Sequence, residues 1–323
     1  MIGNALPIPW LRSIYSSSGP VENPFTLKID TSNTFGGPSY PFGINTDPSY
    51  TYDYTVDWGD GTITNHTGDA SHTYSSEDVY EVKITGECPW IKQWTTSTGV
   101  NYVIDILQWG NLEFKSLKQT FKYCNSLANP DGSSATPGIP ITATDTPNFA
   151  SDFAFDGLTE WAAYTQITSI PNINTWQLPD TLTSLEGCFN NMKWWNDSIA
   201  DWDVSNIGNY KKMFYFCREW INGGDDLSSW KPAKDYTGDL TFEDMFYYCD
   251  TIEDMELWQQ DLYLLGINFI NTKQMFYACE KWKLDLQGWD NTSVKINQIE
   301  GMFSRVGNYY NGANNRPFTD DGL

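Results

Sequence analysis

Carboxylates are the residues of this chain best suited to catalysis. Glycoside hydrolysis uses two carboxyl groups about 5–9 Å apart, and an acidic chain brings such pairs together by chance. The densest acidic run consists of Asp244, Glu253, Asp254 and Glu256. A solvated acidic edge is the simpler explanation of this run, and we strongly prefer that interpretation. The motifs of serine hydrolases, P-loop enzymes, zinc proteases and Cys–His enzymes are absent from the sequence, so we expect no catalytic residue and no enzyme.

A second group of carboxylates lies in the segment Val56-Asp57-Trp58-Gly59-Asp60-Gly61-Thr62. Asp57 and Asp60 could contribute to a calcium site. Alternatively, they accept backbone hydrogen bonds within the turn, and we favour this because Asp side chains do so routinely. The only histidines are His66 and His72, and a lone histidine is rarely a metal ligand. We therefore predict no metal site and no cofactor, and the calcium question stays open.

The charge balance limits the partners of the chain. Its 323 residues include 19 basic and 41 acidic ones, which gives a net charge of −22. Such a surface repels nucleic acid and anionic membranes, so we expect neither as a partner. No apolar run reaches the roughly 18 residues that suggest a membrane span, so we expect no membrane insertion. The first ten residues also lack the basic and apolar regions of a secretory signal.

A short phrase recurs along the second half of the chain. Met213-Phe214-Tyr215-Phe216-Cys217 returns with small changes at 245–249 and 275–279. Further phenylalanines at intervals of 25 to 34 residues extend the series to about seven units, which is the spacing of stacked repeats. The series consists of Phe121, Phe155, Phe189, Phe214, Phe246, Phe276 and Phe303. Apolar residues follow each phenylalanine after three and six positions, which predicts one buried helical face per unit.

The tryptophans ahead of the units carry a resemblance to a known family. Trp202-Asp203-Val204-Ser205-Asn206-Ile207, followed by Met213-Phe214, resembles the units of BspA-like leucine-rich repeat surface proteins. A looser copy starts at Trp289. The resemblance covers roughly residues 100–315, and it implies an α/β leucine-rich-repeat solenoid. Such a surface is used mostly for binding.

The cysteines fit this repeat better than a disulfide framework. Cys124, Cys217, Cys249 and Cys279 occupy the position three residues after the repeated phenylalanine. Leu, Met or Val occupies the same position in other units, which indicates a packing position for a small apolar side chain. Pairing between neighbouring units stays open as the alternative.

Residues 25–88 have a different pattern. Apolar residues alternate with polar ones over 25–29, 52–56 and 80–84, which predicts three strands. The Trp58-Gly59-Asp60-Gly61 turn and the later His72-Thr73-Tyr74 resemble the PKD-type immunoglobulin-like β-sandwich. The predicted fold class is therefore mixed, with this β-sandwich followed by the α/β solenoid of about seven units.

The predicted domains are a leader at 1–24, the sandwich at 25–88, the solenoid at 89–315 and a tail at 316–323. The apolar leader docks either on another chain or on its own sandwich. The polar segment 129–138 is read as an exposed loop, where binding specificity often lies. The leader, sandwich and repeats together resemble proteins of bacteriophages of Bacteroidetes and marine bacteria, which implies a virion component.

Three functions follow, in order of preference. The first is a non-enzymatic virion surface protein, a tail fibre, spike or capsid decoration assembled in the host cytoplasm. Its residues 1–24 contact other virion proteins, and its solenoid binds a host cell-surface glycan or protein. We expect a homo-oligomer or a part of a larger assembly. The second is a secreted or surface-anchored bacterial adhesin of the BspA-like class, and the third is a tail-spike glycan hydrolase.

Overall fold

The structure is a computed structural model. It describes residues 23–32, 40–95, 102–124, 127, 141–233, 239–252, 257, 269–281, 296–298 and 300–305. Several segments named above lie outside the described residues. They are residues 1–22 of the leader, the loop at 129–138, the acidic residues 253–256, Trp258, Trp289 and the tail.

Two β-sheets form the first part of the chain. Their strands are β1 (Phe25–Asp30), β2 (Phe42–Asn45), β3 (Asp53–Asp57), β4 (Ile63–His66), β5 (Ala70–His72), β6 (Val79–Glu87), β7 (Gln93–Thr95) and β8 (Val103–Gln108). One sheet has the order β4-β3-β6-β1-β8, and the other has the order β5-β2-β7. Strands thus lie where the alternating sequence predicts them, and β7 and β8, which follow residue 88, belong to the same two sheets.

The apolar residues of these strands pack between the two sheets. Phe42 of β2 contacts Trp58 after β3 with ring centroids 6.3 Å apart, and Phe25 of β1 stacks on Trp94 of β7 at 6.2 Å. The side chains of Trp58, Phe25 and Phe42 are almost completely buried. Burial of such large rings is the main stabilising contribution of this part of the chain.

The rest of the chain contains short strands and turns. The strands are β9 (Glu113–Phe114), β10 (Asn148–Phe149), β11 (Asp239–Thr241), β12 (Phe269–Asn271) and β13 (Ile296–Gln298), and the 3-10 helices are Ile173–Thr175 and Asn222–Gly224. The described residues contain no α-helix. The predicted fold class, with an α/β leucine-rich-repeat solenoid after the sandwich, is therefore wrong.

Hydrogen bonding explains why the spacing of three residues does not produce a helix. The amides of Lys212, Phe214 and Phe216 donate to the carbonyls of Glu243, Met245 and Tyr247 in the next copy of the repeat. The intervening amides donate three residues back within their own turn, as Met213 does to Tyr210 at 3.1 Å. Alternate amides thus bond between copies, whereas an α-helix would use all of them within one segment. We call the resulting arrangement the turn stack.

The hydrogen bonds also define which residues are equivalent in the seven turn units. In five units the amide of the centre residue donates to the next unit. In the second unit the amides of Glu160 and Tyr164, two positions before and after Ala162, donate to the third unit and define the centre. In the last unit the centre is the residue after Met302, whose carbonyl accepts from Phe276. The centre residues are Phe121, Ala162, Phe189, Phe214, Phe246, Phe276 and Phe303. In every unit, the residues two positions before and two positions after the centre have positive φ, as Lys212 and Phe216 do at 56° and 60°.

The structure corrects one member of the predicted series. Phe155 was placed in the core position of its unit, but 50% of its surface is exposed and Ala162 occupies the centre. The ring of Trp161 lies 6.1 Å from that of Phe121 and 6.5 Å from that of Phe189, so it fills the space that Ala162 leaves.

From Phe189 onward the centre residues form one column of nearly parallel rings. Phe214, Phe246 and Phe276 have successive centroids 5.5 Å apart with interplanar angles of 6° and 11°. The position three residues later is buried as well, and Cys217 and Cys249 occupy it with their thiols as free groups. Each of these two thiols donates a hydrogen bond to a backbone carbonyl of the preceding unit. The cysteines therefore act as packing residues here.

Charges alternate along the column three positions before the centre. The residues in this column from the third unit to the seventh are Glu186, Lys211, Glu243, Lys273 and Glu300. Lys211 pairs with Glu243 and Lys273 pairs with Glu300, both at 3.3 Å. Neighbouring units thus place opposite charges next to each other, which favours this pairing of units.

The sheets cover the first unit of the turn stack. Trp94 of β7 stacks on Phe121 at 6.0 Å, and Thr120 donates a hydrogen bond to the carbonyl of Ile91 at 2.6 Å. The indole of Trp90 donates to the carbonyl of Lys118 at 3.0 Å. The end of the stack is therefore closed by protein and does not expose an unpaired edge at this point.

Candidate binding face

The turn geometry places two columns of side chains on one face of the stack. In the fourth and fifth units the residues one and two positions after the centre are aromatic and partly exposed, and in the sixth unit the residue one position after the centre is Tyr277. The positive φ at the second position turns the chain back there. We call Tyr215, Phe216, Tyr247, Tyr248 and Tyr277 the aromatic face, and each of them is partly exposed.

The rings of the aromatic face stack on one another. Tyr247 lies between Tyr215 and Tyr277, with centroid distances of 4.7 and 4.6 Å and interplanar angles of 14° and 5°. In the neighbouring column Phe216 stacks on Tyr248 at 4.8 Å. Because the ring faces cover each other, the surface presents ring edges and phenol groups. These are suited to contacts that combine apolar area with hydrogen bonds.

Cations lie at the rim of the aromatic face. The Lys212 ammonium is 5.4 Å from the ring centroid of Tyr215, and the guanidinium groups of Arg218 and Arg305 are 5.5 and 5.6 Å from the rings of Phe216 and Tyr277. These distances fall within the range of cation–π attraction. The pairing holds three cationic side chains beside the rings on a chain that is strongly acidic overall.

A buried carboxyl group lies next to the same face. Asp244 is 8% exposed, and its Oδ1 has no hydrogen-bond partner among the described residues. Burial raises the pKa of this carboxyl, against the attraction of Lys212. The interpretation of this acidic run as a solvated edge is therefore wrong for Asp244, because its carboxyl group is removed from water.

Two phenols of the face, those of Tyr215 and Tyr247, are held in the neutral form. Burial raises the pKa of Tyr215 and of Tyr247, and the negative charge of Asp244 adds to the effect in both cases. The phenol groups therefore remain hydrogen-bond donors throughout the neutral range.

The predicted turn residues lie far from this face in the sequence, in the segment from the end of β3 to β5. Asp57 accepts a hydrogen bond from the amide of Gly59 at 3.0 Å, and Asp60 accepts one from the amide of Thr62 at 2.9 Å. The second oxygen of Asp60 is 2.7 Å from Nε2 of His72. These contacts agree with the favoured interpretation, in which both side chains stabilise the turn. The described residues contain no group of three or more His, Cys, Asp or Glu side chains able to hold a metal ion.

Sequence reasoning named no binding residue, and it missed the aromatic face. The signal was present in the phrase Met-Phe-Tyr-Tyr-Cys, because the two aromatics after the buried phenylalanine have no place in the core. Their proximity became visible only with the register between units, since residues 215 and 247 are distant in the sequence. Within the described part of the chain, no helix has the length and apolar character needed to cross a bilayer.

The comparison with protein families addresses the turn stack. A family model described as "Mycoplasma protein of unknown function, DUF285" matches residues 154–263 and 241–315. The chain belongs to this family. The two matches together span half of the chain, from the second turn unit to the end of the stack, and leave the two sheets outside. No curated protein and no solved structure matches the chain.

Proposed function

We propose that this DUF285 protein is a non-enzymatic adhesion protein that binds a protein on a cell surface through the aromatic face. The observation that carries the proposal is the set of stacked rings Tyr215, Tyr247 and Tyr277, with Arg218 and Arg305 at the rim. Tyrosine and arginine are enriched among residues that dominate protein–protein binding energy.

The geometry favours a protein over a glycan at this face. A sugar ring packs best on the open face of an aromatic ring, but Tyr247 has neighbours 4.7 and 4.6 Å away on its two sides. Its edge and hydroxyl group remain for contact, and these suit the mixed apolar and polar surface of a protein. The stacking also restricts ring motion before binding, which lowers the entropy cost of association.

For location we keep the proposal of a virion component, anchored through residues 1–24 to other virion proteins. This rests on the resemblance to phage proteins described above. A bacterial surface adhesin is the second candidate, and one observation favours it, because the matching family is described as a Mycoplasma protein and Mycoplasma is a bacterial genus. Both candidates use the same face in the same way.

Binding of the labelled full chain to intact bacterial cells tests the adhesion proposal. The cells are those of the bacterium whose genome, or whose phage, encodes the chain. We expect Tyr247→Ala combined with Tyr277→Ala to weaken binding at least tenfold, since interface tyrosines often contribute about 2 kcal/mol or more each. Ile63→Ala is the control, because Ile63 is an apolar residue that is 64% exposed and lies in β4, outside the turn stack.

The outcomes separate the parts of the proposal. Loss of binding after protease treatment of the cells supports a protein partner, whereas binding that resists protease contradicts it. Equal binding by the double variant and the parent chain refutes the role of the aromatic face. Mass spectrometry and cryo-electron microscopy of phage particles test the location, and a particle that lacks the chain would leave the bacterial adhesin.

A further inference from the structure

A second recognition site lies on the other side of the centre residues, in the first four turn units. A cavity of about 220 Å³ opens there, and its lining includes Lys118, Phe155, Asp156, Thr183, Glu186 and Asn209. At about 30 Å³ for each water, it has room for about seven water molecules. A six-membered sugar ring with its hydroxyl groups displaces a comparable amount of water.

Phe155 gives the cavity an apolar wall. Half of its surface is exposed, although the other phenylalanines of the predicted series from Phe121 to Phe276 are buried. Its backbone is held in place, because its carbonyl accepts hydrogen bonds from the amides of Thr183 and Ser184 at 2.9 and 3.0 Å. An exposed aromatic side chain on a fixed backbone costs free energy in water, and contact with a ligand recovers it.

Polar groups surround this wall. Glu186 accepts a hydrogen bond from Asn209 at 3.2 Å through Oε2, which orients the carboxylate. Asp156 pairs with Lys118 through Oδ2. The hydroxyl of Thr183 is buried without a hydrogen-bond partner among the described residues. Carboxylate, ammonium and hydroxyl groups in one small cavity can accept from and donate to a ligand that carries several hydroxyl groups.

The charges of the cavity indicate a neutral ligand. The carboxylates of Asp156 and Glu186 repel an anion, while the ammonium of Lys118 already occupies the position that a cation would take beside Asp156. A molecule that combines apolar C–H groups with a rim of hydroxyl groups matches both the aromatic wall and the polar groups. We infer that this cavity binds a neutral hexopyranose, as a single sugar unit of a glycan.

The expected affinity is low, because the ligand is small. A hexose has about twelve non-hydrogen atoms, and at the usual efficiency of small ligands this corresponds to a Kd of about 1 mM. Such a site contributes to adhesion when many copies of the chain act together. The inference does not depend on the aromatic face, which has its own test.

Saturation-transfer NMR on the full chain measures such weak binding directly. The probes are methyl β-D-glucopyranoside, methyl β-D-galactopyranoside and methyl α-D-mannopyranoside, each at about 10 mM, tenfold above the expected Kd. We expect at least one of these probes to receive saturation from the parent chain. Phe155→Ala and Glu186→Gln should each raise the Kd for that probe at least tenfold.

Two variants serve as matched controls. Tyr123→Ala removes another half-exposed aromatic residue, since Tyr123 is 51% exposed. Glu243→Gln alters a carboxylate with the same kind of partner, because Glu243 accepts a hydrogen bond from Asn271 at 3.0 Å. Both should bind the sugar as the parent chain does, and so should Tyr247→Ala, which separates this site from the aromatic face.

Three results would overturn the inference. The first is the absence of saturation transfer to all three probes. The second is unchanged binding in Phe155→Ala. The third is an equal loss in the control variants, which would indicate a general effect on folding.

Discussion

Two phenylalanines that look equivalent in the sequence should respond very differently to truncation. Phe246 and Phe155 both belong to the predicted series, but only Phe246 lies in the core of the turn stack. We expect Phe246→Ala to destabilise the protein strongly and Phe155→Ala to have little effect. The comparison tests the register of the units directly.

The magnitude follows from the surroundings of each ring. Phe246 is completely buried and stacks on Phe214 and Phe276, each 5.5 Å away. Truncation of a buried phenylalanine costs about 3–5 kcal/mol, and the loss of two stacked ring pairs places Phe246 in the upper part of that range. We therefore expect about 4–5 kcal/mol for Phe246→Ala. The half-exposed ring of Phe155 leaves no closed cavity, and we expect less than about 1 kcal/mol.

Urea unfolding followed by tryptophan fluorescence measures both effects. With a denaturant dependence of about 3 kcal/mol per molar urea, a loss of about 4–5 kcal/mol lowers the midpoint by about 1.5 M. The midpoint of Phe155→Ala should shift by less than about 0.4 M under the same assumption. Ala162→Phe provides a reciprocal check, because added volume in a packed core costs about 1–3 kcal/mol.

Equal midpoints for Phe246→Ala and Phe155→Ala would refute this reasoning. A large loss of stability in Phe155→Ala, together with unchanged stability in Ala162→Phe, would show that Phe155 and not Ala162 lies in the core. The centre of the second unit would then shift by seven residues. The proposed sugar site would then lose its aromatic wall.

Two further predictions concern the backbone and charge of the turn stack. Asp244→Asn should raise the free energy of unfolding by about 1 kcal/mol at pH 7, because burial raises the pKa of Asp244 in the folded state and the parent chain loses stability as the pH rises through that pKa. The gain should vanish near pH 3, which is below the unfolded pKa of 3.8, because Asp244 is then protonated in both states. Thermal melts at both pH values measure this difference. A gain that persists at pH 3 would contradict the electrostatic cause. Gly187→Ala should cost about 1–2 kcal/mol, because Gly187 has a φ of +60° and an added Cβ would lie 2.9 Å from Cγ of Glu160. Gly68→Ala, with no heavy atom within 4 Å of the added Cβ, should be nearly neutral in the same urea titration, and equal losses in the two variants would show that the positive φ does not matter.

The sequence was sufficient to predict three of the eight described strands of the first part, β1, β3 and β6, and most of the buried positions of the second. Alternation over residues 25–29 and 80–84 gave strands, and the recurring phrase placed Phe214 and Cys217 correctly in the core. The helix was predicted wrongly because spacings of three and six residues also arise from successive turns. In these turns, residues such as Lys212 adopt positive φ, and their amides bond to the next unit.

The register of the turn units and the two candidate sites could not be predicted from the sequence, for a physical reason. Ala162 takes the centre of its unit while Trp161 fills the space, so no phenylalanine marks the position. Tyr215, Tyr247 and Tyr277 form a face only when the units align, and alignment depends on contacts between distant segments. The buried state of Asp244 likewise depends on its neighbours in the adjacent units.

The alternation of charge three positions before the centre has a consequence for how this protein can change in length. If the unit with Lys211 were deleted, Glu186 would meet Glu243; if the unit with Lys273 were deleted, Glu243 would meet Glu300. Like charges placed opposite each other are destabilising, so the loss of either of these inner units alone is penalised. Removal of two adjacent units restores the pairing of opposite charges. Relatives that differ in the number of these inner units should therefore differ by pairs of units.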